Sequence, residues 1–213
     1  MGKVFDFEQG SPEWKEIRLG RVTGSRVSDL VAKLKSGAYA ASRADYCCEL
    51  VAERLTGERE ERFITKEMAW GTEHEGDARA TYGFMRDVEV TQVGFVMHDL
   101  IDMAGSSPDG LVGEDGLVEI KCPKTTTHIK TLFGAPISPD YIKQMMWQMA
   151  TTGRKWVDFV SYDPRLPRPM MMHIQRVHRD AAQIVAIENE VRGFLAEVDA
   201  MAAELTSKFK LAA

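Results

Sequence analysis

The 213-residue chain has few cysteines, no long apolar run and no excess of basic charge, and each lack removes a class of protein. Its three cysteines, Cys47, Cys48 and Cys122, are odd in number and form no CxxC pair. That excludes a disulfide framework and a four-cysteine iron–sulfur site, and fits reduced thiols in a cytosolic protein. No apolar stretch approaches the roughly 20 residues that span a bilayer. The opening MGKVFDFEQGSPEWKEIRLG lacks the apolar core of a secretory signal, so the expectation is a cytoplasmic protein with no membrane partner. No GxxxxGK[ST] loop is present, which leaves ATP-driven unwinding without a motif. The net charge of −5 gives no global signature of nucleic-acid binding, although a local basic groove depends only on where charges sit.

What is present is 44% apolar and 28% charged, enough to bury a sizeable core in one domain spanning 1–213. Ser11 and Pro12 open a short N-terminal helix, as cap and first helical residue. A second helix is expected to start near Ser25, its N-cap, with Val27, Leu30, Val31 and Leu34 on one apolar side. Residues 42 to 56 continue helically to Gly57, and another helix is entered after Gly71. Between 87 and 122 the period shortens to that of strands joined by turns, with Gly110 and Gly116 read as turn glycines. A helix over 140–151, strands at KWVDFVSYD and RPMMMHIQRV, and a long helix over roughly 180–206 complete the order. The last helix has Ile184, Ile187, Val191, Leu195 and Val198 at helical spacing. This is an α/β domain with a central mixed sheet flanked by helices.

The chemistry concentrates in SSPDGLVGEDGLVEIKCPK, residues 106–124. On a strand over 117–122, Glu119 and Lys121 share a face while Ile120 points to the core. Asp109 can return to that face through the intervening turn. Asp109, Glu119 and the Ile120 carbonyl form a hard oxygen set suited to Mg²⁺, which takes six oxygens at roughly 2.0–2.1 Å. Such a centre serves phosphodiester hydrolysis, with Lys121 orienting water or stabilising charge, and acting as a base only if its pKa is depressed. A surface hairpin with a weak Glu119–Lys121 pair is the competing reading of the same residues.

The stretch SSPDGLV…GLVEIKCP resembles the restriction-endonuclease-like, PD-(D/E)xK nuclease core. More closely it resembles phage recombination exonucleases of the lambda exonuclease type, the YqaJ-like viral recombinases. WKEIRLGRVTGS, MAWGTEHEGDARATY, YIKQMMWQM and FVSYDPRLP extend the likeness along nearly the whole chain. The resemblance implies Asp109, Glu119 and the Ile120 carbonyl as metal ligands, and Lys121 as the catalytic lysine. Glu75 becomes a further acidic residue for a second metal or its water, and Gln144 the active-site glutamine. Mg²⁺ is the implied cofactor, with Mn²⁺ as its substitute.

Arg18, Arg21, Thr23 and Ser25 offer a guanidinium and hydroxyls to a terminal phosphate. The resemblance assigns Arg18 and Ser25 to a 5′-phosphate pocket, assisted by Ser107. Met68 is a candidate wedge between the strands, with core packing as its alternative. The family likeness further implies double-stranded DNA ends as substrate, a ring-shaped homotrimer and a single-strand annealing partner in phage-type recombination. Lys33, Lys35 and Arg43 are candidates to line the ring's channel. The expected activity is an ATP-independent 5′-to-3′ exonuclease that releases mononucleotides and leaves 3′ tails. An endonuclease on the same core and a non-catalytic DNA-binding protein are the alternatives.

Overall fold

A computed structural model describes residues 2–60 and 63–209. In chain order it contains β1 (Val4–Phe5), α1 (Pro12–Ile17), β2 (Val22–Thr23), α2 (Val27–Val31), α3 (Ala41–Thr56) and α4 (Lys66–Arg86). There follow β3 (Val90–Thr91), β4 (Phe95–Met97), β5 (Ala104–Ser106), β6 (Gly110–Val112) and β7 (Gly116–Lys121). The chain ends with α5 (Thr125–Leu132), α6 (Pro139–Thr152), β8 (Trp156–Tyr162), β9 (Met172–His178) and α7 (Ala181–Lys208). Among these residues no helix is long and apolar enough to cross a membrane.

The expected central mixed sheet is five-stranded, in the order β3-β6-β7-β8-β9, with β7 and β8 parallel and the other neighbours antiparallel. A parallel pair needs a long crossover, and α5 and α6 supply it. A second mixed sheet, β1-β4-β5-β2, is built from strands of two or three residues.

Alternation along β7 divides the interior. Leu117 joins Val157, Phe159, Trp147, Phe194 and Val191 in a large cluster under α2, α3, α6 and α7. Val118, Ile120 and Cys122 join Val160, Tyr162, Ala78 and Tyr82 in a smaller cluster under α4. Each such aliphatic or aromatic side chain contributes about 1.5–3 kcal/mol when fully buried. The helix α6 also ties the two sheets together, because the buried indole of Trp147 donates to the Gly105 carbonyl at 2.9 Å.

Several sequence expectations hold: Ser11 caps α1, Gly57 ends α3 in the left-handed conformation, and all five apolar residues chosen on α7 are buried. Others do not. The helix α2 stops at Val31, leaving Leu34 56% exposed. Ser25 lies inside a 3₁₀ turn, Gly24–Arg26, and caps nothing. The helix α4 begins at Lys66, capped by Thr65, and runs through Gly71 and Gly76. Gly110 and Gly116 are strand residues: a Cβ would meet Val90 at 2.3 Å and the Trp156 ring at 2.1 Å. The glycine that the β6–β7 turn needs for its backbone is Gly113, with φ of +52°.

Candidate active site

The register of β6 against β7 sets Gly110 opposite Val118, so Asp109 arrives beside Glu119 and Ile120. Its Oδ2 accepts the Ile120 backbone N–H at 2.6 Å, which fixes the carboxylate at the strand end. Glu119 is fully buried. Its Oε1 accepts from Gln144 Nε2 at 2.7 Å and pairs with Lys121 Nζ at 2.5 Å. Its Oε2 accepts from Gln148 Nε2 at 2.6 Å. The pair is therefore no loose surface contact on a hairpin, because three donors hold one desolvated carboxylate.

Gln148 was not singled out in the sequence, although its signal was present: Gln144 and Gln148 are one turn apart on α6 and reach the same residue. The pair needs both the helix and its docking onto β7, and the sequence shows only the first. Two further residues, one on the N-terminal arm and one on α4, hold the approach to Asp109. Gln9 Nε2 donates to the carbonyls of Val93 at 2.9 Å and Pro108 at 3.0 Å, pinning the approach to Asp109. Arg79 of α4 donates to the Asp109 carbonyl at 2.8 Å and also pairs with Glu75. Glu75 is half-buried, whereas Glu73 and Asp77 beside it are exposed. It is thus set apart from the charge run in which it lies.

The electrostatics show carboxylates crowded away from water. Burial, then the charge of Glu119, pushes Asp109 well above the usual carboxylate range. Burial raises Glu75 as well, with Arg79 opposing and Glu119 reinforcing. For Lys121 burial disfavours the ammonium, but Glu119 and Asp109 outweigh it and hold its pKa above the ordinary lysine value. The two carboxylates thus favour the ammonium form of Lys121. Burial, with Glu75 and Asp109 nearby, lifts the Cys122 thiol to about 12, so it stays protonated.

Among the described residues no three His, Cys, Asp or Glu side chains form a ready metal cage. The donor chemistry nevertheless fits a hard divalent cation: two carboxylates, Asp109 and Glu119, meet at the Ile120 backbone, and burial with the charge of Glu119 disfavours ionisation of Asp109. Glu75 stands near them with its carboxylate taken by Arg79.

A cavity of about 150 Å³ opens against this centre, lined by Arg18, Ser25, Ser107, Asp109, Gln144 and Gln148, among others. Arg18 Nη1 donates to Ser107 Oγ at 2.8 Å, and Trp14 Nε1 donates to the same oxygen at 3.0 Å. The guanidinium lies 4.0 Å over the Trp14 ring, and its Nε is buried without a hydrogen-bond partner among the described residues. Burial, then Arg59, lowers the Arg18 pKa to about 10, which still leaves it charged near neutrality. Arg21 and Thr23 do not line this cavity. Arg21 donates to the Ile17 carbonyl at 2.8 Å, and Thr23 is buried.

Met68 is 51% exposed at the start of α4, which removes the core-packing reading. Arg43 is only 5% exposed, donating to the Leu30 carbonyl at 2.6 Å and pairing with Glu197 at 2.7 Å. It is a structural cation and cannot line a channel. Lys33 pairs with Glu190 at 2.9 Å, and Lys35 is exposed.

Residues 13–155 match the model of the YqaJ-like viral recombinase domain. The chain belongs to this family. It is 50% identical to LHK-Exo, an alkaline exonuclease from Laribacter hongkongensis, over 95% of this chain and 100% of that one, with a TM-score of 0.88. A structure of LHK-Exo in complex with dAMP matches with the same figures. A phage related exonuclease from Haemophilus somnus 129PT shares the fold at 16% identity and a TM-score of 0.67, over 87% of this chain and 96% of that one. No curated protein matches the chain. The fold of this YqaJ-like protein is the restriction-endonuclease-like core, with mixed sheets flanked by helices.

Proposed function

We propose that this YqaJ-like protein is a Mg²⁺-dependent, ATP-independent 5′-to-3′ exonuclease on double-stranded DNA. The observation that carries the reading is the continuity of the Arg18–Ser107 cavity with Asp109, Gln144 and Gln148. A terminal 5′-phosphate bound there, beside a buried carboxylate–lysine centre, would lie one step from the bond to be cut. The likeness to an alkaline exonuclease that has been solved with dAMP supports the same class of activity.

In the proposed reaction a water oxygen attacks the phosphorus between the first and second nucleotides. The bond from that phosphorus to the first nucleotide's 3′ oxygen breaks, and the oxygen leaves with a proton. The terminal unit departs as a 5′-mononucleotide, and the shortened strand keeps a 5′-phosphate for the next cycle. Arg18, Ser107 and Ser25 hold the terminal phosphate and set the register. Asp109, Glu119 and the Ile120 carbonyl would hold Mg²⁺, for which Mn²⁺ would substitute, and Glu75 would hold a second ion or its water. When bound, the ion supplies charge neutralisation at the transferring phosphoryl group and acidifies its water. Lys121 presents an ammonium to the charge that accumulates, while Gln144 and Gln148 hold the Glu119 carboxylate in place. Met68, exposed at the tip of α4, would part the terminal base pair. The complementary strand would remain as a 3′ tail for a single-strand annealing protein, with a ring-shaped homotrimer as the working assembly.

The test uses labelled linear duplexes bearing 5′-phosphate or 5′-hydroxyl ends, a closed circle and the Lys121→Ala protein, all with Mg²⁺. Mononucleotides, a surviving 3′ tail, intact circles and an inactive variant are expected. Internal fragments or cut circles would replace this reading with an endonuclease. Binding without digestion would leave a DNA-binding protein. Sedimentation of the protein checks the trimer.

A further inference from the structure

On the other side of α4 from Met68 lies a second cavity, of about 240 Å³, lined by Lys66, Glu67, Trp70, Cys122, Lys124 and Arg165. Cys122 adjoins Lys121 in the chain, and alternation turns it to the opposite face, so this cavity backs onto the active centre without sharing its side chains. Helix geometry separates the two environments: Lys66 and Trp70, one turn apart, share one side of α4, whereas Met68 projects with Glu75 from another.

The cavity's chemistry suits a phosphate. Lys66 is exposed and has no ion-pair partner among the described residues. Lys124 pairs with Glu67 at 2.7 Å, but both side chains are more than half exposed, and such a pair exchanges readily for a stronger anion. Arg165 is held in place by Asp163 at 2.7 Å and by the Pro123 carbonyl at 3.0 Å. The indole N–H of Trp70 is buried and has no acceptor among the described residues. Its ring is already covered by His74 at 3.6 Å and by the Arg165 guanidinium at 4.3 Å. With His74 and Arg165 already against its ring, Trp70 has less face to offer a base than N–H to offer an oxygen, so the cavity favours a backbone phosphate over a base.

We propose that this cavity holds a backbone phosphate of the undigested, 3′-ended strand just past the point where the duplex opens. The inference rests on the exonuclease reading and extends it to the strand that is not cut. With Met68 on a different side of α4 from the second cavity, the two cavities would give each parted strand its own anchor: the 5′ end at Arg18, the surviving strand at Lys66, Lys124 and Trp70. Holding the surviving strand opposes re-annealing after each cut.

The experiment measures affinity for a duplex with a recessed 5′-phosphate and a 3′ tail, in the Lys121→Ala background and with Mg²⁺ left out, so that the duplex stays intact. A second probe carries neutral methylphosphonates at the first two tail linkages. The Lys66→Gln, Lys124→Gln protein, with both changes on the surface, is compared in the same background. The neutral linkages are expected to weaken the parent about tenfold and flatten its salt dependence, whereas the doubly substituted protein, already weak, stays indifferent to them. Equal losses in both proteins, or none in either, overturn the strand anchor. If the wild-type protein digests linear duplex in parallel, only the anchor falls. If it does not, the exonuclease reading and the anchor fall together.

Discussion

The two faces of β7 do opposite work. One carries Leu117, Glu119 and Lys121 toward α6, and there a fully buried carboxylate is held by two amides and an ammonium. The other carries Val118, Ile120 and Cys122 into an apolar layer under α4. Charge removed from water costs stability, and the apolar face offsets it by locking the strand that bears the charge. Over Val118–Lys121 the charged residues proposed for the chemistry therefore alternate one by one with apolar residues that hold them in place.

Four changes test that division. The largest effect falls on the polar face: Lys121→Ala is expected to lower the hydrolysis rate about 10²–10³-fold while the protein still melts cooperatively, read by single-turnover digestion and calorimetry. On the apolar face, Ile120→Ala should do the reverse. It is expected to cost about 2–5 kcal/mol of stability by denaturant titration, with the folded fraction still active. A fall in activity per folded molecule as deep as that of Lys121→Ala would erase the distinction.

Arg18→Ala sharpens the picture of the polar side. Its guanidinium donates to Ser107 and lines the cavity proposed for the 5′-phosphate, so the preference for 5′-phosphate over 5′-hydroxyl ends should shrink by roughly 10–100-fold, the worth of one charged hydrogen bond. An unchanged preference would move the phosphate elsewhere. The smallest effect concerns Asp158, the buried carboxylate bonded by Arg176 at 2.8 Å and Tyr82 at 2.8 Å. Burial alone would raise its pKa, but Arg176 and Tyr82 outweigh that and lower it. A lowered folded pKa means stability that is present above the unfolded value, about 3.9, and lost as pH falls through the folded one. Asp158→Asn should therefore be less stable at neutral pH and lose part of the wild-type slope below about pH 4, followed by thermal melts across that range.

How far the sequence could be read depended on how local each feature is. The spacing of Asp109, Glu119 and Lys121, the Ser11 cap and the apolar face of α7 are written within a few residues, and all stand as read. The helix α5 was not anticipated, because its three successive threonines have low helix propensity and it buries one residue, His128, against Ser161 at 2.7 Å. The second sheet escaped notice because two- and three-residue strands have too few positions to show alternation. Arg43 looked like a surface cation because its partners, Leu30 and Glu197, are distant in sequence. Gln148 and Trp14 were hidden for the same reason: each acts on a residue that only tertiary packing brings near.

The crossover between β7 and β8 also sets an order of events. The β6–β7 hairpin is local, and it alone brings Asp109 to the Ile120 backbone. Gln144 and Gln148 ride on α6, inside the connection that must wrap back before β8 can pair in parallel with β7. Parallel pairing is a slow, non-local step in chain folding. A nascent chain that has made only its hairpin leaves Glu119 without its two amides, so the cutting centre is completed together with the fold and a half-made molecule is an unarmed one.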